Sequence, residues 1–329
     1  MKSQILFCQF IFLTFLILIY IFLNIILFNK LKEMVYLYFI LLFLILVFTL
    51  ISIIQLKKLR TISVNAELKE KYTNISHRGA SGEAPENTLL AFRIAVEKYN
   101  TDVLEMDVHS TKDRVIVVIH DTTLQRTTNG KGNVKDYTYE ELEKFDAGYW
   151  YKTEGKSEYP YRGKGIKIPT LKEVFESFPS LKFNIEVKQK NPPIEEDIIN
   201  LIRETGFTDK VILGSSKISI SRKLKKLAPE IASFCNRWNV IIFYILNKIG
   251  LGFLYRPKHQ TLQPTTETKP INIVQPSMVN AAHKKGMMFH VWTINNEKDM
   301  EKFLNMGVDG IMTDYPERLN NVLKRLNKR

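Results

Sequence analysis

Cysteine is almost missing: the 329-residue chain has two, Cys8 in an apolar run near its start and Cys235 far along the polar remainder. That placement suggests no disulfide framework. An arginine-rich arm with interleaved aromatic residues is also lacking, so the net charge of +13 is not arranged for nucleic acid and no nucleic-acid partner is expected. It fits an anionic membrane surface or a small anionic substrate better. Charge is absent from residues 5–28 and 35–56, runs of 24 and 22 residues, each long enough to cross a bilayer as a helix. No small-residue cleavage site closes the first run, where Ile25 to Phe28 lead into Asn29-Lys30, and this excludes a cleaved signal peptide.

Residues 1–56 are therefore expected to form a two-helix transmembrane hairpin, with membrane lipids as neighbours and residues 57–73 as a polar linker to a domain over 74–329. Lys2, Lys57, Lys58 and Arg60 lie on one side of such a hairpin, against Lys30, Lys32 and Glu33 in the connector. The positive-inside rule then makes the chain an integral membrane protein with a cytoplasmic domain.

What the chain does have is concentrated between Asn74 and Asp121. The run Asn74-Ile75-Ser76 ends in His77-Arg78-Gly79, the run 103–109 reads Val-Leu-Glu-Met-Asp-Val-His, and the run 115–119 ends in His120-Asp121. Strand side chains alternate faces, so Glu105 and Asp107 point one way, about 7 Å apart along the strand, and Leu104, Met106 and Val108 the other. Like charges on one face of a buried strand are costly unless something positive sits between them. That points to a cation site, with His77 and His120 beside it.

Asn87 reads as the N-cap of a helix over 88–98 with Leu89, Phe92 and Val96 on one stripe. Strand, helix and strand at this spacing form a βαβ unit and imply a parallel sheet. The short link to 115–119 forces an antiparallel hairpin there. Further strands are expected at 181–188, 211–215, 231–235, 271–275, 288–293 and 308–313, with helices between. Eight βα units in this length fit a TIM (β/α)8 barrel with a β-hairpin and an insertion after strand 2, and a doubly wound open sheet is the competing fold. Two excursions, 122–170 and 236–270, interrupt the rhythm and are expected to cap the C-terminal face of the barrel.

The same alternation turns Asn184, Glu186 and Lys188 into the barrel and Phe183, Ile185 and Val187 towards helices. In the seventh strand it separates His290 and Trp292 from Phe289, Val291 and Thr293. Three carboxylates, Glu105, Asp107 and Glu186, thus meet Arg78, Lys188 and two histidines at strand ends, where polar residues of a barrel do chemistry. An all-carboxylate set without Cys or closely spaced His suits Ca²⁺ or Mg²⁺ better than zinc. Arg78 and Lys188 suit a phosphate oxygen, and two histidines suit general acid and base. The set predicts metal-aided phosphoester cleavage.

These residues also resemble a family. His77-Arg78-Gly79, Pro85-Glu86-Asn87-Thr88, Glu105-x-Asp107, His120-Asp121, Arg126-Thr127-Thr128, Ile185-Glu186-x-Lys188, His290-Val291-Trp292-Thr293 and Asp309-Gly310-Ile311-x-Thr313-Asp314 look like the glycerophosphodiester phosphodiesterase family, in the right order from Asn74 to the C-terminus. The resemblance implies Glu105, Asp107 and Glu186 as metal ligands, His77 and His120 as the acid–base pair, and Arg78 and Lys188 as phosphate contacts. Trp292 would wall the glycerol. It implies release of sn-glycerol 3-phosphate and an alcohol from a glycerophosphodiester. Two departures stand out: Asp113-Arg114 replaces the family's usual Asp-Gly hairpin turn, and Asn100 stands where Gly is usual. Competing functions are a lysophospholipase D activity, motivated by the apolar 240–254 segment, and a non-catalytic lipid-binding module at the membrane. If the acidic trio holds a working cation, EDTA should abolish phosphodiester hydrolysis and Glu186→Gln should reproduce that loss; hydrolysis persisting in EDTA would remove the metal from the reaction.

Overall fold

The computed structural model describes residues 13–22, 31–56, 62–65, 68–266 and 272–329. The chain divides into two compact units, Met1–Leu59 and Arg60–Arg329. In the first, residues 13–22 and Leu31–Leu56 are helical, and the Phe22 ring stacks on Tyr38 with centroids 4.1 Å apart. Side chains of the second helix are described at 35 and from 37 to 51.

The reading of two spanning helices over 5–28 and 35–56, and with it of an integral membrane protein, is corrected here. Among the described residues no helix is long and apolar enough to cross a membrane. In the first run residues 13–22 are described and helical. The remainder of the first run lies outside the described residues.

The second unit is a TIM-like α/β barrel. Its strands are β1 (Thr73–Ser76), β2 (Val103–Ser110), β3 (Ile116–Val118), β4 (Lys182–Val187), β5 (Val211–Gly214), β6 (Thr261–Leu262), β7 (Met288–Val291) and β8 (Gly310–Thr313). Seven of them run parallel in the order β5-β4-β2-β1-β8-β7-β6, and β3 pairs antiparallel with β2 through Val108↔Val118 and Ser110↔Ile116. Residues 231–235 supply the remaining stave by single bridges, Ile212↔Ala232 towards β5 and Phe234↔Thr261 towards β6. The Leu213 N–H donates to the Ala232 carbonyl at 2.8 Å and the Cys235 N–H to the Thr261 carbonyl at 2.9 Å. These bonds close the ring.

Strand parity builds the core. Leu104, Met106, Val108, Phe183, Ile185 and Val187 are fully buried against the surrounding helices, while Glu105, Asp107, Asn184 and Glu186 point inward. Beneath them Ile75, Val103 and Met312 form one small apolar layer, and Leu68 packs with Ile212, Ala232, Phe234 and Met288 in another. The described part of the expected linker is therefore fastened to the barrel, and the Ile62 N–H also donates to the Lys285 carbonyl at 3.1 Å.

Two local expectations change, and both departures from the family pattern are accommodated. The sixth stave is β6, inside the excursion expected at 236–270, because the apolar 271–275 run is not a strand where described. Ile273 and Val274 instead bury their side chains in the core ahead of Pro276, which opens the next helix. Thr88, not Asn87, caps the helix Leu89–Arg93, its hydroxyl accepting from the Ala91 N–H, and the helix continues as a π-turn over Ile94–Lys98. Arg114 and Asn100 both take the left-handed conformation a glycine would take there, at φ 69° and 48°. Asp113 steadies the hairpin by accepting from the Thr111 hydroxyl at 2.5 Å and the Tyr139 N–H at 3.1 Å.

Gly286 and Gly307 offer a matched test. Both are left-handed, at φ 74° and 87°, but an added Cβ at Gly286 would meet the Ile62 carbonyl oxygen at 2.4 Å, whereas at Gly307 it would meet nothing within 4 Å. Gly307→Ala should cost about 1–2 kcal/mol from backbone strain alone. Gly286→Ala should cost measurably more in denaturant unfolding; equal losses would mean that Ile62 does not pack against Gly286.

Candidate active site

The acidic pair sits on β2, with Glu105 5% and Asp107 1% exposed. Two cations come to it from neighbouring staves. Arg78 follows β1 in a left-handed turn at φ 55°. Its N–H donates to Glu105 Oε2 at 2.9 Å, its Nε lies 3.1 Å from Asp107 Oδ2 as an ion pair, and its Nη1 donates to Glu86 Oε1 at 3.0 Å. Lys188 follows β4 and places Nζ 3.1 Å from Asp107 Oδ1 and 2.8 Å from Glu186 Oε2. Glu186 takes a further bond from the Ser216 N–H at 3.0 Å.

Burial and the neighbouring Asp107 raise the Glu105 pKa, against the pull of His77 and Arg78. At Asp107 burial acts in the same direction, but Lys188, Arg78, His120 and Asn87 outweigh it and the pKa is lowered. Asn87, which the sequence reading used as a helix cap, instead donates to Asp107 Oδ2 at 3.2 Å from a left-handed backbone at φ 57°.

The two histidines are held alike. His77 Nδ1 lies 2.7 Å from Asp314 Oδ1, and His120 Nδ1 lies 2.6 Å from Asp121 Oδ1. Each aspartate engages Nδ1, which leaves Nε2 as the nitrogen for a reacting group. Burial alone would lower the His77 pKa, but the bond to Asp314 and the charge of Glu105 carry it above its ordinary value. Asp314 is itself fixed by the Ser81 hydroxyl at 2.8 Å and by Asn295 Nδ2 at 2.6 Å. Arg126 ties the other side together, bonding both oxygens of Glu86 at 2.7 Å and Asp121 Oδ2 at 2.5 Å.

All seven residues named so far for catalysis, phosphate or metal line one cavity of about 430 Å³ together with Trp292. The Trp292 Nε1–H donates to the Gln263 carbonyl at 2.8 Å, which holds the ring at the rim. Phe234, Val240, Ile241, Ile273 and Met312 add apolar lining to this cavity. A second recess of about 520 Å³ shares His77 and Arg78 and is walled by Lys152, Glu154, Tyr315 and Arg318. Among the described residues no group of three or more His, Cys, Asp or Glu is gathered closely enough to hold a metal ion. The acidic trio offers only oxygen donors, the chemistry a hard cation prefers, and the Lys188 ammonium bridges Asp107 and Glu186.

Sequence reasoning gave no site role to Asp314, Glu86, Arg126 or Asn87. Asp314 directly follows β8, and the rule that polar residues at the C-terminal ends of barrel strands are functional would have found it. Glu86, Arg126 and Asn87 come from loops whose meeting no periodicity encodes.

A family model described as the glycerophosphoryl diester phosphodiesterase family matches residues 77–318. The chain is 39% identical over 262 residues to a glycerophosphodiester phosphodiesterase of Caldanaerobacter subterraneus subsp. tengcongensis, covering 76% of this chain and 97% of that one. It is 29% identical over 281 residues to Lysophospholipase D GDPD1 of Mus musculus, covering 77% and 87%. Among solved structures it is similar to an Oleispira antarctica phosphodiesterase in complex with the product sn-glycerol-3-phosphate. There the TM-score is 0.59 at 27% identity, over 76% of this chain and 96% of that chain.

Asp314→Asn removes the charge that holds the His77 pKa up while leaving the burial that lowers it. The His77 pKa should fall, so whichever limb of the pH–rate profile His77 governs should move to lower pH, with kcat reduced roughly 100-fold. A profile that keeps both limbs in place would leave Asp314 with a structural role only.

Proposed function

Since the chain belongs to the glycerophosphoryl diester phosphodiesterase family and is a phosphoric diester hydrolase, we propose that it cleaves glycerophosphodiesters to sn-glycerol 3-phosphate and an alcohol by paired-histidine catalysis. The observation that carries this reading is the convergence of His77, His120, Arg78, Lys188 and three carboxylates on one cavity. The Oleispira antarctica structure, with sn-glycerol-3-phosphate as product, supports the identity of the retained half.

In the proposed reaction the diester phosphate lies between the two imidazoles, and Arg78 and Lys188 direct N–H donors at its oxygens. One histidine takes the proton of the glycerol 2-hydroxyl as that oxygen bonds to phosphorus. The other protonates the departing alcohol oxygen as its bond to phosphorus breaks. Water then opens the cyclic phosphodiester, with the proton roles reversed. Asp314 and Asp121 hold the imidazoles so that Nε2 carries out each transfer, and Trp292 walls the glycerol. The recess beyond His77 and Arg78 gives the alcohol room to leave. Glu105, Asp107 and Glu186 would hold a divalent cation, Ca²⁺ or Mg²⁺, which when bound adds positive charge beside the phosphate.

A second reading is lysophospholipase D hydrolysis. It is favoured by the apolar residues in the cavity lining, which would suit an acyl chain on the glycerol, and by the likeness to the mouse protein. Purified chain incubated with glycerophosphocholine and with lysophosphatidylcholine, each with Ca²⁺ or Mg²⁺, should release sn-glycerol 3-phosphate from the first, and His120→Ala should lower that turnover about 1,000-fold. Turnover confined to the lysolipid would transfer the assignment to the second reading.

A further inference from the structure

The helix Arg237–Lys248 lies over the cavity and has two apolar faces with different fates. Its inner face buries Val240 and Phe243, and Val240 and Ile241 line the cavity. Asn236 caps it, its side chain accepting from the Trp238 and Asn239 N–H groups, both at 3.1 Å. The outer face presents Trp238, Ile242, Ile245 and, just past the last turn, Ile249, which are 56%, 47%, 49% and 61% exposed. Steps of four, three and four residues place them along one stripe. A contiguous apolar stripe on a folded surface marks an interaction site more often than chance exposure does.

Charge decides what the stripe fits. Between Glu230 and Glu267 the chain carries no acidic residue, and it has Arg237, Lys248, Arg256 and Lys258, all four exposed. The first two flank the stripe along one side of the helix. A second copy packed two-fold on this face would set cations against cations. An anionic lipid surface offers negative headgroups for the cations and an apolar layer beneath for the stripe, and an indole at that boundary is favourably placed. We propose that the outer face of the Arg237–Lys248 helix docks on the surface of an anionic phospholipid bilayer and holds the cavity rim there. This goes beyond the hydrolytic reading and stands without it.

Tryptophan fluorescence tests the proposal directly, because the three tryptophans are Trp150, Trp238 and Trp292 and none lies in the apolar runs near the start of the chain. The full-length protein is mixed with vesicles whose phosphatidylglycerol is brominated in its acyl chains, and the Trp238 signal is taken as the difference from Trp238→Phe. Bromolipid should quench that signal at least twofold, and brominated phosphatidylcholine vesicles should quench it much less. Ile242→Ser with Ile245→Ser should halve the quenching at an unchanged thermal unfolding midpoint. Absence of quenching, equal quenching by the two lipids, or a Trp238 already shielded from aqueous iodide before lipid is added would each overturn the proposal, the last by showing that another segment or a second copy covers the face.

Discussion

Two carboxylates on one face of a buried strand repel each other and lose their hydration, so the stave that carries Glu105 and Asp107 is tenable only with positive charge brought to it. Arg78 and Lys188 bring it from the staves on either side. Arg78 reaches both acids from a left-handed backbone, a conformation that costs about 1–2 kcal/mol for a residue with a side chain. Its contacts with Glu105, Asp107 and Glu86 offset that cost. Gly79 follows at φ 82°, where its Cα lies so close to Ala91 that an added Cβ would stand 2.7 Å from backbone carbon. The turn is thereby fixed, and with it the place of His77.

The same charges extend outward as a chain of ion pairs. Asp107, Arg78, Glu86, Arg126, Asp121 and His120 follow one another, so the loop after β3 is tied to the loop after β1. On the β3 side the Ile119 N–H donates to the Asp107 carbonyl at 2.9 Å, which sets His120 beside the acidic pair. Each imidazole is then oriented by its own aspartate. The donors that would meet a phosphate are in place without substrate, which is the condition under which fixed charges contribute most to a transition state.

Much of this was legible because strand parity is a strong local code. Leu104, Met106 and Val108 could be separated from Glu105 and Asp107 by alternation alone, and the short link to 115–119 required a hairpin. The sixth stave was hidden because Thr261-Leu262 is short and half polar, while the more apolar Ile273 and Val274 serve as core without hydrogen bonding in the sheet. Asn87 misled because the residue that caps a helix in sequence can be claimed by a distant carboxylate, here Asp107. Arg114 shows the converse: the left-handed turn survives without glycine when Asp113 holds its neighbours. The apolar runs near the start read as membrane spans in sequence, whereas among the described residues no helix is long and apolar enough to cross a membrane.

The central claim is that Lys188 and Arg78 compensate the acidic trio of the proposed phosphate and cation site. Anomalous diffraction from crystals grown with Mn²⁺ and sn-glycerol 3-phosphate tests it most directly. The account predicts one manganese peak among Glu105, Asp107 and Glu186, the Lys188 ammonium displaced from between Asp107 and Glu186, and phosphate oxygens within hydrogen-bond reach of Arg78 and both histidines. A product-bound crystal with manganese elsewhere, or with Lys188 still bridging those two carboxylates, would contradict it.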